Sequence, residues 1–487
     1  MDKAYKKPTF TQAIIPILFL IIALSFNVFY IFGDDGLSGS NQMILILSSG
    51  VAALVASRLG YTWSELREGA VKSISSAMPS MLILLLIGSL AGTWLLSGIV
   101  PALIYYGLQV LNPTIFLFAA CVVCAIVSVA TGSSWSTVAT IGIALLGIGK
   151  ALGLDEGLIA GAIISGAYFG DKMSPLSDTT NLAPAVAGTD LFTHIRYMAY
   201  TTIPSISITL IIFLIIGFFG IEETTQPDID AILLSIENSF NITPLLFIVP
   251  VVVIAMIVKK VPAIPSLLTG SLLGGLFAVI FQPQAIEQVA GSDMNFTFAA
   301  YTAVMKALYG DIAITTDNEI VNDLLSSGGM YGMLGTIWLI LCAMVFGGIM
   351  ETSGLLHKIT EAIIKLANST GSLIASTAGT CLFFNATASD QYLAIVIPGR
   401  MYADTFKDRN LAPENLSRTL EDSATVTSVL VPWNTCGATQ SSVLGVATAA
   451  YAPFCFFCII SPFMTILFGF LNIKIRKLKE EKVATPA

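Results

Sequence analysis

The chain has 487 residues, 55% of them hydrophobic and only 11% charged, with a mean hydropathy of +0.83. Soluble domains carry about 25% charge, so the composition excludes a soluble protein and predicts an all-α polytopic membrane protein embedded in a lipid bilayer. The net charge of -8 includes no basic patch, because Lys and Arg are scattered at helix ends, and this excludes nucleic-acid binding.

The N-terminal MDKAYKKPTF sets a basic flank before an apolar run at 13–32. No small-residue cleavage site follows, so a retained first helix is expected. Segments near the roughly 20 residues a bilayer requires fall at 11–33, 41–58, 77–97, 195–220, 243–258, 264–282, 331–351 and 449–472. Two other apolar stretches, 157–188 and 418–446, are broken by GDKMSPLSDTTN at 170–181 and VPWNTCGATQ at 431–440. Interruptions at matching places of two halves mark discontinuous helices that hold an ion or substrate near the midplane. The stretches 114–150 and 372–403 carry polar centres, VATGSSWST at 129–137 and NATASDQ at 385–391, and predict re-entrant hairpins.

The halves repeat. Ser97-Gly98 matches Ser353-Gly354, Ala130-Thr131 with Ser133 matches Ala386-Thr387 with Ser389, and Pro175 matches Pro432, at offsets of 256, 256 and 257. Gly50 matches Gly270 at 220, the difference being a polar loop inserted at about 283–330. The expected organisation is a first repeat at 1–220, an outer linker at 221–242, a second repeat at 243–472 and a cytoplasmic tail at 473–487. Five crossings and one hairpin per repeat, about ten crossings in all, invert the second repeat relative to the first. With the N-terminus inside, 20 of the 23 Lys and Arg face the cytoplasm, Arg418 among them, as the positive-inside rule requires. The arms 99–112 and 355–369 read as interfacial hinges leading into the hairpins.

A charge at membrane depth costs roughly 2.5–3.5 kcal/mol on insertion scales, which makes each one a functional candidate. Asp171, Lys172, Asp178, Glu351 and Asp390 qualify, with Glu421 and Asp422 nearer an edge. Around the first break Ser174, Ser177, Thr179, Thr180 and Asn181 supply neutral oxygens, while Pro175 and Pro184 prevent a continuous helix. An oxygen-only set suits a hard cation, and sodium at Asp178, Ser177 and Thr179 is the expected arrangement. Desolvation favours the protonated carboxyl, so a proton and a sodium ion compete for Asp171 or Asp178. Lys172 either pairs with one of them until sodium arrives or stands in a permanent ion pair.

The first hairpin tip adds Thr131, Ser133 and Ser134; the second adds Asn385, Thr387, Ser389 and Asp390; the second break adds Asn434, Thr435 and Thr439. These groups suit a second ion or the polar head of an organic substrate, or they only satisfy the broken backbone. Glu351 reads as interfacial or as a proton relay, and Glu421 and Asp422 as first-turn residues complementing a helix dipole. His194 and His357 sit beside charges at predicted membrane edges. The seven cysteines lie in apolar runs and read as packing residues. No Arg is expected in the core, and no nucleotide, cofactor, metal-ligand or Ser/His/Asp set of an enzyme appears.

The stretch GAYFGDKMSPLSDTTNLAPAVAGTDLFTHIRYM at 166–198 resembles the corresponding region of NhaC-type sodium/proton antiporters, a prokaryotic family that includes sodium-coupled malate/lactate exchangers. The resemblance extends over nearly the whole chain. It implies membership of the ion transporter superfamily, whose divalent-anion/sodium symporters have inverted repeats, two hairpins, two broken helices and a dimeric scaffold. Their paired Ser-Asn-Thr motifs are replaced here by ATGSSWS, SPLSDTTN, NATASDQ and WNTCGAT, a departure toward carboxylates and indoles that favours a proton-coupled ion site. The resemblance thus implies an inner-membrane exchanger of sodium or lithium for protons, homodimeric, elevator-like and with cytoplasmic termini. The alternative is a sodium- and proton-coupled exchanger of a small organic anion or an amino acid.

Overall fold

The computed structural model describes residues 5–32, 39–219, 229–291, 294–365 and 367–478. Lys3, linker residues 220–228 and tail residues 479–487, with Lys479 and Lys482, lie outside the described residues. Nearly all described backbone is helical. This is the expected answer to a solvent that offers no hydrogen bonds, because a helix satisfies its amide groups internally. Among the described residues seven helices are each long and apolar enough to cross a membrane, or up to nine if two bent pairs count as single spans. The protein is a multi-pass membrane protein.

Helix Trp63–Leu96 shows how local sequence sets an element. Thr62 and Glu65 form a capping box at its start, and 34 residues of mostly apolar sequence carry it onward. Helix Ala263–Phe281 packs on it through Gly270 and Gly274, facing Leu90, Trp94 and Thr93, while Leu268, Leu272, Leu276 and Ile280 form an exposed stripe four residues apart on another face. A small-residue face against protein and a large apolar face outward is the pattern of a lipid-exposed helix. Helix Leu334–Thr352 packs against Ser40–Arg58 and Trp63–Leu96, completing a central layer drawn from both halves.

The halves carry the same elements in the same order. The arms Ile99–Val110 and Leu355–Ile364 both follow left-handed glycines, Gly98 and Gly354. The first hairpin, Pro113–Thr131 and Ser134–Ala151, corresponds to Thr370–Thr387 and Gln391–Asp408. The first broken helix, Glu156–Met173 and Asp178–Ala187, corresponds to a helical run from Pro413 to Leu430 and then Thr435–Leu444. Both broken helices end on a left-handed glycine, Gly188 and Gly445, again 257 apart.

One expectation needs correction. The inserted 283–330 segment is more than a polar loop: helices Pro283–Ala290, Phe296–Tyr309 and Glu319–Leu324 and a two-residue ladder, Ile312–Ala313 with Ser326–Ser327, fill it. Phe296–Tyr309 packs so closely on Trp63–Leu96 that a Cβ at Gly92 would lie 1.9 Å from the Ala307 carbonyl oxygen. Described linker residues likewise include a helix, Ile229–Ser239.

Hairpins and broken helices interlock across the repeats. Arm Pro113–Thr131 runs along Glu156–Met173, where Cβ atoms at Gly166 and Gly170 would fall 2.0 and 2.4 Å from the carbonyl oxygens of Cys121 and Ala125. Arm Gln391–Asp408 of the second hairpin packs both on Pro413–Leu420 of its own half and on Asp178–Ala187 of the first. Both hairpin tips thereby meet the first break.

Candidate functional site

The first hairpin turns at Gly132, whose φ of +70° is the left-handed conformation that glycine adopts without strain. Ser133 then caps the short helix Ser134–Thr137, its Oγ accepting from the Ser136 amide. Ser134 donates to Asp171 Oδ2 through both its amide, at 3.2 Å, and its hydroxyl, at 2.7 Å. Thr131 Oγ1 lies 3.3 Å from Thr137 Oγ1 across the turn. At the second tip Ser389, with φ of +60°, takes the left-handed conformation that Gly132 takes at the first. Asp390 caps the returning helix by accepting from the Leu393 amide at 2.9 Å.

The two breaks are built differently. In the first, the loop between Met173 and Asp178 is held by short polar side chains: Ser174 Oγ donates to the Val129 carbonyl, Asn181 Nδ2 to those of Pro175 and Ser177, and Thr180 Oγ1 to that of Lys172. Ser177 caps the second half-helix through the Thr180 amide. In the second break the neutral groups are turned onto backbone. Asn434 caps Thr435–Leu444 and donates to the Asn385 carbonyl, Thr435 N donates to Ser389 O, Asn385 Nδ2 donates to the Ala424 carbonyl at 2.7 Å, and Thr387 Oγ1 donates to that of Phe383.

A cavity of about 90 Å³ opens where these parts converge. Ser133, Trp135 and Ser136 of the first tip, Asp171 and Asp178 of the first break, Gln391 and Tyr392 of the second hairpin and Thr435 and Cys436 of the second break line it, facing Ser80, Ile83 and Ala263 of the central layer. Asp178 is exposed and accepts a short hydrogen bond from the Tyr392 hydroxyl. Asp171 is buried, and its Oδ1 has no hydrogen-bond partner.

Behind the cavity lies a charged layer that the sequence did not foretell. Lys172 is fully buried and pairs with Asp422, not with Asp171 or Asp178; it also donates to Ser461 Oγ at 3.0 Å. Thr201 donates to the other Asp422 oxygen at 2.7 Å. Glu421, fully buried, accepts from Thr179 Oγ1 at 3.0 Å, and its second oxygen has no partner. Glu421 and Asp422 are thus not first-turn residues at an edge: their helix begins at Pro413, and they open a π-helical turn, Glu421–Thr425, in its interior.

The expected sodium trio is also divided. Ser177 and Thr179 hydroxyls, 3.1 Å apart, lead to Glu421, whereas the Asp178 side chain reaches Tyr392 on the cavity side. Among the described residues no group of three His, Cys, Asp or Glu is spaced for a metal ion. His194 is buried, with Nδ1 2.8 Å from Ser417 Oγ, where its helix, Leu191–Phe219, packs on Pro413–Leu420. Arg418 is a core arginine where none was expected: it is fully buried, its guanidinium 4.6 Å over the Tyr197 ring, with Nε and Nη2 unpartnered. His357 is exposed beside Glu361, and Glu351 is exposed at the end of its helix.

Broken helices, polar hairpin tips and two carboxylates meeting at one small cavity inside a multi-pass bundle define a secondary transporter. A family model described as "Na+/H+ antiporter family" matches residues 166–473, which contain both breaks and the second hairpin. The chain is 38% identical to the Na(+)/H(+) antiporter NhaC of Alkalihalophilus pseudofirmus, over 88% of this chain and 89% of that one. It is 37% identical to the malate-2H(+)/Na(+)-lactate antiporter of Bacillus subtilis, over 96% of each, and 34% identical to the arginine/ornithine antiporter ArcD of Halobacterium salinarum, over 96% and 93%. The chain belongs to the Na+/H+ antiporter family and is a secondary antiporter.

Proposed function

We propose that this antiporter exchanges Na+ or Li+ for H+ by alternating access, with Asp171 and Asp178 as the carboxylates for which cation and proton compete. The observation that carries this reading is the size and chemistry of the cavity. About 90 Å³ lined by two carboxylates and several hydroxyls is ion-sized, well below the roughly 300–1,000 Å³ of small-molecule pockets. Asp171 offers an unpartnered oxygen to that ion, and Ser134 fixes its other oxygen in place. Lys172 holds the charge balance behind the site through Asp422. Gln391, Tyr392, Thr435 and Cys436 of the second half shape the opposite wall.

The matched element order of the halves supports an inverted repeat of five crossings and a hairpin each, and the Lys/Arg distribution supports cytoplasmic termini in a prokaryotic inner membrane. Hairpins and broken helices form one interlocked unit, which we read as sliding, elevator-like, against a dimeric scaffold of the central layer.

The second reading, exchange coupled to a small organic anion or amino acid, draws on the names of the malate/lactate and arginine/ornithine relatives and on Arg418, a buried cation with two unpartnered nitrogens. Proteoliposomes containing a pH-sensitive dye separate the two. The proposal expects an imposed Na+ gradient to move protons with no organic solute present. Proton movement that appears only after malate, lactate or an amino acid is added would overturn it.

A further inference from the structure

We propose a second cation station at Glu421, Thr179 and Ser177, across the contact between the two broken helices and distinct from the cavity lined by Asp171 and Asp178. The proposal rests on the sodium-antiport reading and deepens it by assigning the desolvated ligand. Three observations converge. The hydroxyls of Ser177 and Thr179 and one oxygen of Glu421 form a continuous chain, at 3.1 and 3.0 Å. The other Glu421 oxygen is fully buried with no partner, and so are the hydroxyls of Ser423 and Thr425 in the same π-helical turn. Such turns release groups from the regular ladder and are frequent at functional sites.

Charge accounting points the same way. The layer contains one lysine and two buried carboxylates, Glu421 and Asp422, and Asp422 takes the lysine. Arg418, one turn earlier, stacks on Tyr197, and among the described residues no ion pair joins it to Glu421. A buried carboxylate without a counter-charge is strongly disfavoured, so Glu421 requires either a proton or a cation. The oxygens around it, a carboxylate and hydroxyls with no sulfur or imidazole, are those a hard monovalent cation accepts. Asp178 then serves at the mouth, and Glu421 holds the ion when it is out of water.

Saturable binding of radiolabelled sodium to the purified full-length protein tests this. The expected result is that Glu421→Gln raises the sodium Kd by about tenfold or more, a loss larger than that caused by Asp178→Asn. Thr179→Val should weaken binding several-fold, and Thr179→Ser should restore it, which a purely structural hydroxyl would not require. If Glu421→Gln does not fold, the Thr179 pair decides alone. Wild-type affinity in Glu421→Gln, or in Thr179→Val, would overturn the second station while leaving sodium antiport standing. Absence of saturable sodium binding to the wild type would instead remove the antiport reading on which it rests.

Discussion

The first and second breaks occupy equivalent places and do opposite things with their polar residues. In the second, the side chains of Asn434 and Asn385 are spent on capping and on carbonyls, so the chain can leave the helix without stranding amide groups. In the first, serines, threonines and an asparagine do that work, and Asp171 and Asp178 remain turned to the cavity. Backbone repair needs only short neutral side chains. Carboxylates beyond that need are therefore the mark of transport chemistry. The second half supplies its acids from the helical run ahead of its break, Glu421 and Asp422, where they meet residues of the first break.

The sharpest way to break this comparison is the link between the halves. Lys172→Met leaves Asp422 buried without its partner and should cost about 3–5 kcal/mol, seen as loss of folded protein in size-exclusion and thermal-melt measurements. A double Lys172→Met, Asp422→Leu variant should recover much of that loss, because the uncompensated charge is gone. Asp178→Asn should cut sodium-driven proton movement in vesicles by about tenfold or more while the melt stays near wild type, as expected for an exposed carboxylate outside the folded core. Gly166→Val would push a side chain into the Cys121 carbonyl and should destabilise by roughly 1–3 kcal/mol, separating hairpin from broken helix. Asn434→Ala, read by thermal melt, should cost about 1 kcal/mol for the lost cap. Ser389→Gly should be neutral or stabilising by up to about 1 kcal/mol, since it relieves a left-handed serine at the second tip.

Much of this arrangement was legible because it is written locally. Proline, glycine and hydroxyl clusters inside apolar runs located both breaks and both tips, and a steady offset of 256 or 257 paired them. The charged layer was not legible, for a physical reason. LSRTLEDSAT at 416–425 is polar enough to read as a surface turn, and its burial depends on Lys172, some 250 residues earlier, and on Thr201 and Ser461. Asp171 and Asp178 stood nearer to Lys172 in the sequence as partners, so nothing local pointed to Asp422 in the other half. Arg418 and His194 were missed likewise, since each is enclosed by helices distant in sequence. The helical content of 283–330 was hidden by its polarity, which marks exposure and not irregularity.

The central claim is that exchange is centred on the first break, and proteoliposomes carrying Asp171→Asn or Asp390→Asn compare the two halves most directly. Asp171 lines the cavity and keeps one oxygen without a hydrogen-bond partner, whereas Asp390 is engaged in capping a helix. The account predicts that Asp171→Asn abolishes sodium-driven proton movement and that Asp390→Asn retains a measurable fraction of it. Equal loss in both, or a greater loss in Asp390→Asn, would contradict it.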